Sequence, residues 1–160
     1  MKSNLKVATA QYPITFHLSL ENWRVHVDKW VSQAAQEGAE LLVLPEYGAM
    51  ELVSLAPEKI QRELREQVQW LSTILPDFVD HYSSLAKKYK VMICAPSIPV
   101  LFDKKIYNRC YFFFKDGKST FQQKQMMTRF EDEEWGVSSA DPILKIIDIE
   151  VSYDKENKAN

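Results

Sequence analysis

Apolar residues along the chain recur with two different periods. Leu5-Lys6-Val7-Ala8-Thr9-Ala10-Gln11 alternates and stops before Pro13, which predicts a first strand. Trp23, Val27, Trp30, Val31, Ala34 and Ala35 then fall at helical spacing and give one apolar stripe. Ser19 stands where an N-cap belongs and Gly38 where a C-cap glycine belongs, so this helix ends near Glu37. Leu41-Leu42-Val43-Leu44 follows at once, a short continuous run of the kind covered on both faces of a sheet. Strand, helix, short loop, strand is the order of a layered α/β fold.

Downstream, Pro57 opens a second predicted helix with Ile60, Leu64, Val68 and Leu71 on one face. Pro76 is expected to break it, and Asp77 to cap a third helix carrying Phe78, Tyr82, Leu85 and Ala86. Val91-Met92-Ile93-Cys94-Ala95 reads as another buried strand, ended by Pro96. Tyr107 to Phe114 predicts an aromatic strand, with Lys115-Asp116-Gly117-Lys118 as a hairpin turn and Thr120 to Gln125 returning. Arg129 to Ser139 reads as polar and irregular and carries the carboxylates Glu131, Asp132, Glu133 and Glu134. A last strand is expected over 143–149, then a polar loop or disordered tail over 152–160. No repeat or linker divides the chain, so residues 1–160 read as a single α/β domain.

Composition narrows the function classes. The 160 residues are 46% hydrophobic and 26% charged, as in soluble globular proteins. Twenty basic against 22 acidic residues, with no basic stripe, argue against nucleic acid as a partner. No run approaches the ~20 apolar residues of a membrane helix, and the N-terminus has no signal-peptide apolar region. Two cysteines, Cys94 and Cys110, point to a reducing cytoplasm rather than a disulfide framework. His17, His26 and His81 are scattered without metal-ligand spacing, so neither metal nor cofactor is expected.

Candidate chemistry gathers where strands end, as ligands do in open α/β sheets. Glu46 follows the run at 41–44, with Pro45 shaping the turn and Gly48 allowing close backbone approach. A charge at the end of a buried strand is costly unless it is paired or used. By position alone Glu46 is equally a solvated or capping carboxylate, Lys124 an ordinary edge-strand lysine, and Glu133 and Glu134 a solvated charge run. Together in one pocket, Glu46 and Lys124 would stabilise each other's charges and suit general-base work. Cys94 and Cys110 stand in apolar and aromatic strands, away from any helix N-terminus or local base, and read as core fillers.

Four segments in order resemble the nitrilase superfamily of carbon–nitrogen hydrolases. They are "VATAQYPI" (7–14), the helix and strand of "NW…V…AAQEGAELLVLPEY", the hairpin "YNRCYFFFKDGK", and "QQKQMMTRFEDEEWGVSSAD". Together they extend over residues 5 to about 149. The resemblance implies a four-layer α-β-β-α sandwich, of which this chain is the N-terminal portion, and a Glu-Lys-Cys triad acting on a small amide or nitrile. Glu46 then looks like the general base and Lys124 like the cation facing the oxyanion. Glu134 fits best as the second glutamate, with Glu133 the alternative.

In one respect the sequence departs from the pattern. The family's nucleophilic cysteine sits in a Cys-Tyr-Asp or Cys-Trp-Asp motif on a strand after the one at 143–149, and no such motif is present up to Asn160. Val151-Ser152-Tyr153-Asp154 resembles it with serine in place of cysteine, but no apolar strand leads directly into it, and the match reads as coincidental. Two functions remain open: an amidase whose thiol lies beyond this chain, or a non-catalytic binding scaffold of the same fold. Half of a doubled sandwich would leave an apolar sheet face bare, which points to homo-oligomers.

Overall fold

The computed structural model of the protein describes residues 4–149. Its centre is a six-stranded mixed sheet. Strands β1 (Val7–Thr9), β2 (Leu41–Val43) and β3 (Met92–Cys94) run parallel in that order. β4 (Ile98–Phe102), β5 (Lys105–Phe113) and β6 (Ser119–Gln123) complete it, β5 pairing antiparallel with β3, β4 and β6. Arg109 pairs with both Ile98 and Gln123, so β4 and β6 flank opposite sides of β5. β3 and β4 therefore lie end to end along one side. Between Cys94 and Ile98, four steps of this chain match three steps of β5, from Phe112 to Arg109. That extra residue is a bulge around Pro96, and it shapes the site described below.

Helix α1 (Leu20–Gln36) begins at Ser19, whose side chain accepts from the Asn22 N–H, and buries Trp23, Val27 and Val31. Helix α2 (Leu64–Tyr89) buries Val68, Leu71, Phe78, Tyr82, Leu85 and Ala86. The two helices touch each other, and α2 lies over β4, β5 and β3. Tyr82 stacks on Phe113 at 5.9 Å between ring centres, and Ile93, Leu52 and Phe113 are fully buried beneath. This helix departs from the sequence expectation in two ways. It begins at Leu64, after a 3₁₀ turn at Ile60–Arg62, and it runs unbroken through Pro76. Proline forfeits one backbone bond, but the buried stripe continues in phase on both sides of it, and packing outweighs that loss. Asp77 is consequently not a cap; it pairs with Arg24 of α1 at 2.7 Å.

Strand register sorts side chains onto two faces. Leu42, Ile93, Tyr111 and Phe113 face the helices and are buried. On the opposite face lie Val7, Thr9, Leu41, Val43, Cys94, Phe112, Cys110 and Asn108, most of them only partly covered. The described residues thus form one helical layer and one sheet layer. β4, with Pro99 inside it, was not expected from the sequence; proline is tolerated there because β4 has no strand on its outer side. The expected strand over 143–149 is not formed. That segment lies beside β6, held by Gln122, whose side chain accepts from the Lys145 N–H at 3.1 Å and donates to the Ile143 carbonyl at 3.3 Å. It finds no ladder partner among the described residues and leaves Ile143, Leu144 and Ile146 exposed. The tail at 152–160 and the Val151–Asp154 resemblance lie outside the described residues.

Candidate active site

Beyond β2 the chain turns through Pro45, Glu46 and Tyr47 into a 3₁₀ segment, Gly48–Leu55. Three contacts fix this turn. The Tyr47 N–H donates to Ser97 Oγ in the β3–β4 bulge at 2.8 Å. Gly48 packs so closely on the same bulge that a Cβ there would lie 2.8 Å from Pro96 Cβ. Farther along, Glu51 is buried and accepts from the Tyr12 hydroxyl at 2.6 Å and the Trp23 indole at 3.0 Å, while His17 Nε2 lies 3.3 Å away. Tyr47 itself is held at φ 56°, a left-handed conformation that costs a non-glycine residue energy and persists because these contacts enforce it.

Thus anchored, Glu46 Oε1 accepts from Asn108 Nδ2 at 2.8 Å and from Lys124 Nζ at 2.9 Å. Lys124 follows β6 directly, and its N–H donates to the Asn108 carbonyl at 2.9 Å, which continues the β5–β6 pairing by one residue. Its ammonium also reaches Glu131 Oε2 at 2.8 Å. Glu131 is nearly buried and receives the Thr128 N–H and hydroxyl at 2.9 Å each and the Tyr47 hydroxyl at 2.5 Å. Burial opposes ionisation of Glu131, but these donors outweigh it and hold its carboxyl down at about 2. Burial likewise opposes the charge on Lys124, yet its hydrogen bonds to Glu131 and Glu46 raise its pKa above the ordinary value. Burial, then the bond to Glu131, pushes the Tyr47 phenol far up, so it stays a neutral donor. A cavity of about 330 Å³ opens beside this cluster, lined by Glu46, Lys124, Asn108, Cys110, Ser97 and Gln122 among others.

Glu46 and Lys124 are therefore brought together, whereas Glu133 and Glu134 are not part of the cluster. Glu133 pairs with Arg129 at 2.8 Å on the surface, and Glu134 closes the C-terminus of a short helix, α3 (Arg129–Glu133), with its side chain exposed. The carboxylate that reaches Lys124 is Glu131, not Glu134. Of the segment expected to be irregular, 129–139, the first five residues form this helix, and Thr128 and Glu131 cap it reciprocally. Thr-x-x-Glu was the available signal: read as a capping box, it places Glu131 at the helix start, turned back toward Lys124.

Comparison with known proteins bears on the family and the fold. The family model for carbon–nitrogen hydrolases matches residues 6–146. The chain belongs to the carbon–nitrogen hydrolase family. A probable hydrolase of Bacillus subtilis (strain 168), YhcX, is 29% identical over 158 residues, which are 95% of this chain and 30% of that protein. The carbon–nitrogen hydrolase of Helicobacter pylori G27 superposes with a TM-score of 0.65 at 17% identity, over 86% of this chain and 45% of that one. Nit3 of Saccharomyces cerevisiae, a member of branch 10 of the nitrilase superfamily, gives 0.58 at 21% identity, over 87% and 49%. The nitrilase-type fold is thereby shared, and this chain spans under a third of YhcX and about half of the two solved chains.

The described residues contain no group of three or more His, Cys, Asp or Glu arranged to hold a metal ion. None of their helices is long and apolar enough to cross a membrane. His17 and His26, which lack metal-ligand spacing in the sequence, meet at 5.3 Å between ring centres beside the buried Glu51. That cluster ties the Glu46 turn to α1 and lies outside the cavity.

Proposed function

We propose that this chain supplies the base and the cation of a site that hydrolyses carbon–nitrogen bonds other than peptide bonds, in small amides or nitriles. The observation that carries the reading is Lys124 Nζ held between Glu46 and Glu131 at 2.9 and 2.8 Å. In this scheme Glu46 takes the proton of a thiol as it attacks the substrate carbon, and Lys124 faces the oxyanion that develops. Ammonia or an amine leaves, and a water deprotonated by Glu46 clears the thioester. Glu131, in place of Glu134, is the second carboxylate; it fixes Lys124 and keeps it charged.

The thiol nucleophile is not one of the described cysteines in this scheme. Cys94 and Cys110, the two cysteines of the sequence, are free thiols in hydrogen-bond contact at 3.4 Å, and Cys110 Sγ also lies 3.4 Å from the Ala95 carbonyl oxygen. The 160-residue chain alone is accordingly expected to release no ammonia from aliphatic amides, and to work in the reducing cytoplasm as part of a larger or self-associated unit. The competing reading is a binding scaffold of the same fold. Sequencing past the codon for Asn160 and assaying the product for ammonia release tests both. An in-frame apolar strand with Cys-Tyr-Asp or Cys-Trp-Asp, and activity lost in Glu46→Gln and Lys124→Ala, supports the enzyme. A stop codon there in an intact gene supports the scaffold. Amide hydrolysis by the 160-residue chain that survives Cys94→Ala and Cys110→Ala but not Ser152→Ala would overturn the assignment of the nucleophile.

A further inference from the structure

The cavity beside Glu46 and Lys124 has a second chemical feature that the hydrolytic scheme does not use. Cys110 lines it, and Cys94 lies against Cys110, with 3.4 Å between the two sulfurs and both side chains partly exposed. Register explains the meeting. Cys94 pairs with Phe112 across β3 and β5, and Cys110, two residues before Phe112, projects from the same face as its diagonal neighbour. Neither cysteine is bridged.

We propose that Cys94 and Cys110 form a dithiol that a hydroperoxide closes into an intrachain disulfide. Cys94 is the attacking sulfur and Cys110 the resolving one. The contact with Cys110 lowers the Cys94 thiol in spite of burial, and the same contact, with burial, raises Cys110, so Cys94 is the more readily ionised of the two. In the first step the Cys94 thiolate attacks one peroxide oxygen. A sulfur–oxygen bond forms, the oxygen–oxygen bond breaks, and the departing alkoxide or hydroxide takes up a proton. In the second step the Cys110 sulfur attacks Cys94: the sulfur–sulfur bond forms, the sulfur–oxygen bond breaks, and hydroxide leaves as water with the Cys110 proton. The sulfur pair loses two electrons and the peroxide gains them.

Geometry permits the closure and gives it a consequence. The sulfurs must approach from 3.4 Å to about 2.0 Å. Diagonal partners sit far apart for a bridge, so the backbone has to yield. It can do so here, because β3 ends at Cys94 and the chain enters the bulge at 95–97. The same bulge holds the Glu46 turn through Ser97 and Pro96, and Cys110 is two residues from Asn108, which donates to Glu46. Oxidation therefore displaces the groups that orient Glu46. That last consequence rests on the proposed function; the thiol chemistry does not.

The test is thiol titration and intact mass of the 160-residue chain before and after a brief, near-stoichiometric hydrogen peroxide treatment. The expected result is loss of both thiols together, a mass lower by two hydrogens, and a non-reducing peptide map that joins Cys94 to Cys110. A small-molecule dithiol should restore both thiols, and Cys110→Ser should instead gain one oxygen at Cys94. Oxygen addition without disulfide in the wild type, a disulfide between chains, or thiols inert to peroxide would each overturn the proposal. All of these are read without any hydrolytic assay, so failure here and failure of the amidase reading remain distinguishable.

Discussion

Glu131 collects four donors on two oxygens while almost entirely buried, so its charge matters to folding as well as to the site. Unfolded, its carboxyl titrates near its ordinary value of 4.5; folded, it is held at about 2. Above 4.5 both states are ionised and the full stabilisation is present; as pH falls toward 2 the unfolded state binds the proton first and stability is lost. Urea unfolding from neutral pH downward should show this decline, and Glu131→Gln should flatten it. The same substitution should cost about 1–3 kcal/mol at neutral pH, because Lys124 and Tyr47 lose a charged acceptor. A variant with wild-type stability and an unchanged acid limb would count against the assignment. At this scale position alone left Glu46 and Lys124 open to solvated readings; it took the ordered resemblance to put them in one site, where the structure brings the two side chains together. Glu131 stayed hidden among four neighbouring acids, because the order Glu131-Asp132-Glu133-Glu134 shows no periodicity and only the Thr128 cap distinguishes the first.

Gly48 and Pro76 show how elements override or obey their local residues. Gly48 is a tight-approach position: its neighbour Pro96 belongs to the bulge, and a methyl group placed 2.8 Å from it must push the two segments apart. Gly48→Ala is expected to destabilise by about 1–3 kcal/mol, the range for overpacking, and to lower the thermal midpoint accordingly. If the midpoint is unchanged, the Glu46 turn is looser than this packing implies. Pro76 behaves oppositely. Local rules end a helix there, yet the stripe from Val68 through Leu71 to Phe78 and Tyr82 buries against the sheet without interruption. Pro76→Ala should restore the missing backbone bond and stabilise the fold by about 1 kcal/mol, the gain being offset in part by a more flexible unfolded chain. A fall in midpoint would show that the proline is needed for the shape of α2. Helices with a long buried stripe and strands with continuous apolar runs were legible. The bulge, β4 and the unladdered segment at 143–149 were not, because each depends on which strand lies alongside rather than on local pattern.

The described residues are asymmetric: helices cover one sheet face, while on the other Met92 is buried and Val7, Leu41, Val43 and Phe112 are at least partly exposed. Val7 is 47% exposed on the edge strand β1, and Ile143, Leu144 and Ile146 are exposed at 69%, 75% and 92% beside β6. Apolar surface arranged across a face and along both flanks is not stable against water when another such surface is available. A four-layer sandwich brings two sheets together, and we propose that for these 160 residues in isolation a second copy supplies the other sheet. Sedimentation velocity should therefore show mass increasing with concentration. Val7→Lys places a charge on the β1 edge, where it blocks pairing at little cost to the fold. It should shift the distribution toward monomer while circular dichroism stays unchanged. A monodisperse monomer at every concentration, unfolding cooperatively, would mean that the bare face is tolerated. Association unaffected by Val7→Lys would move the contact to the exposed residues beside β6.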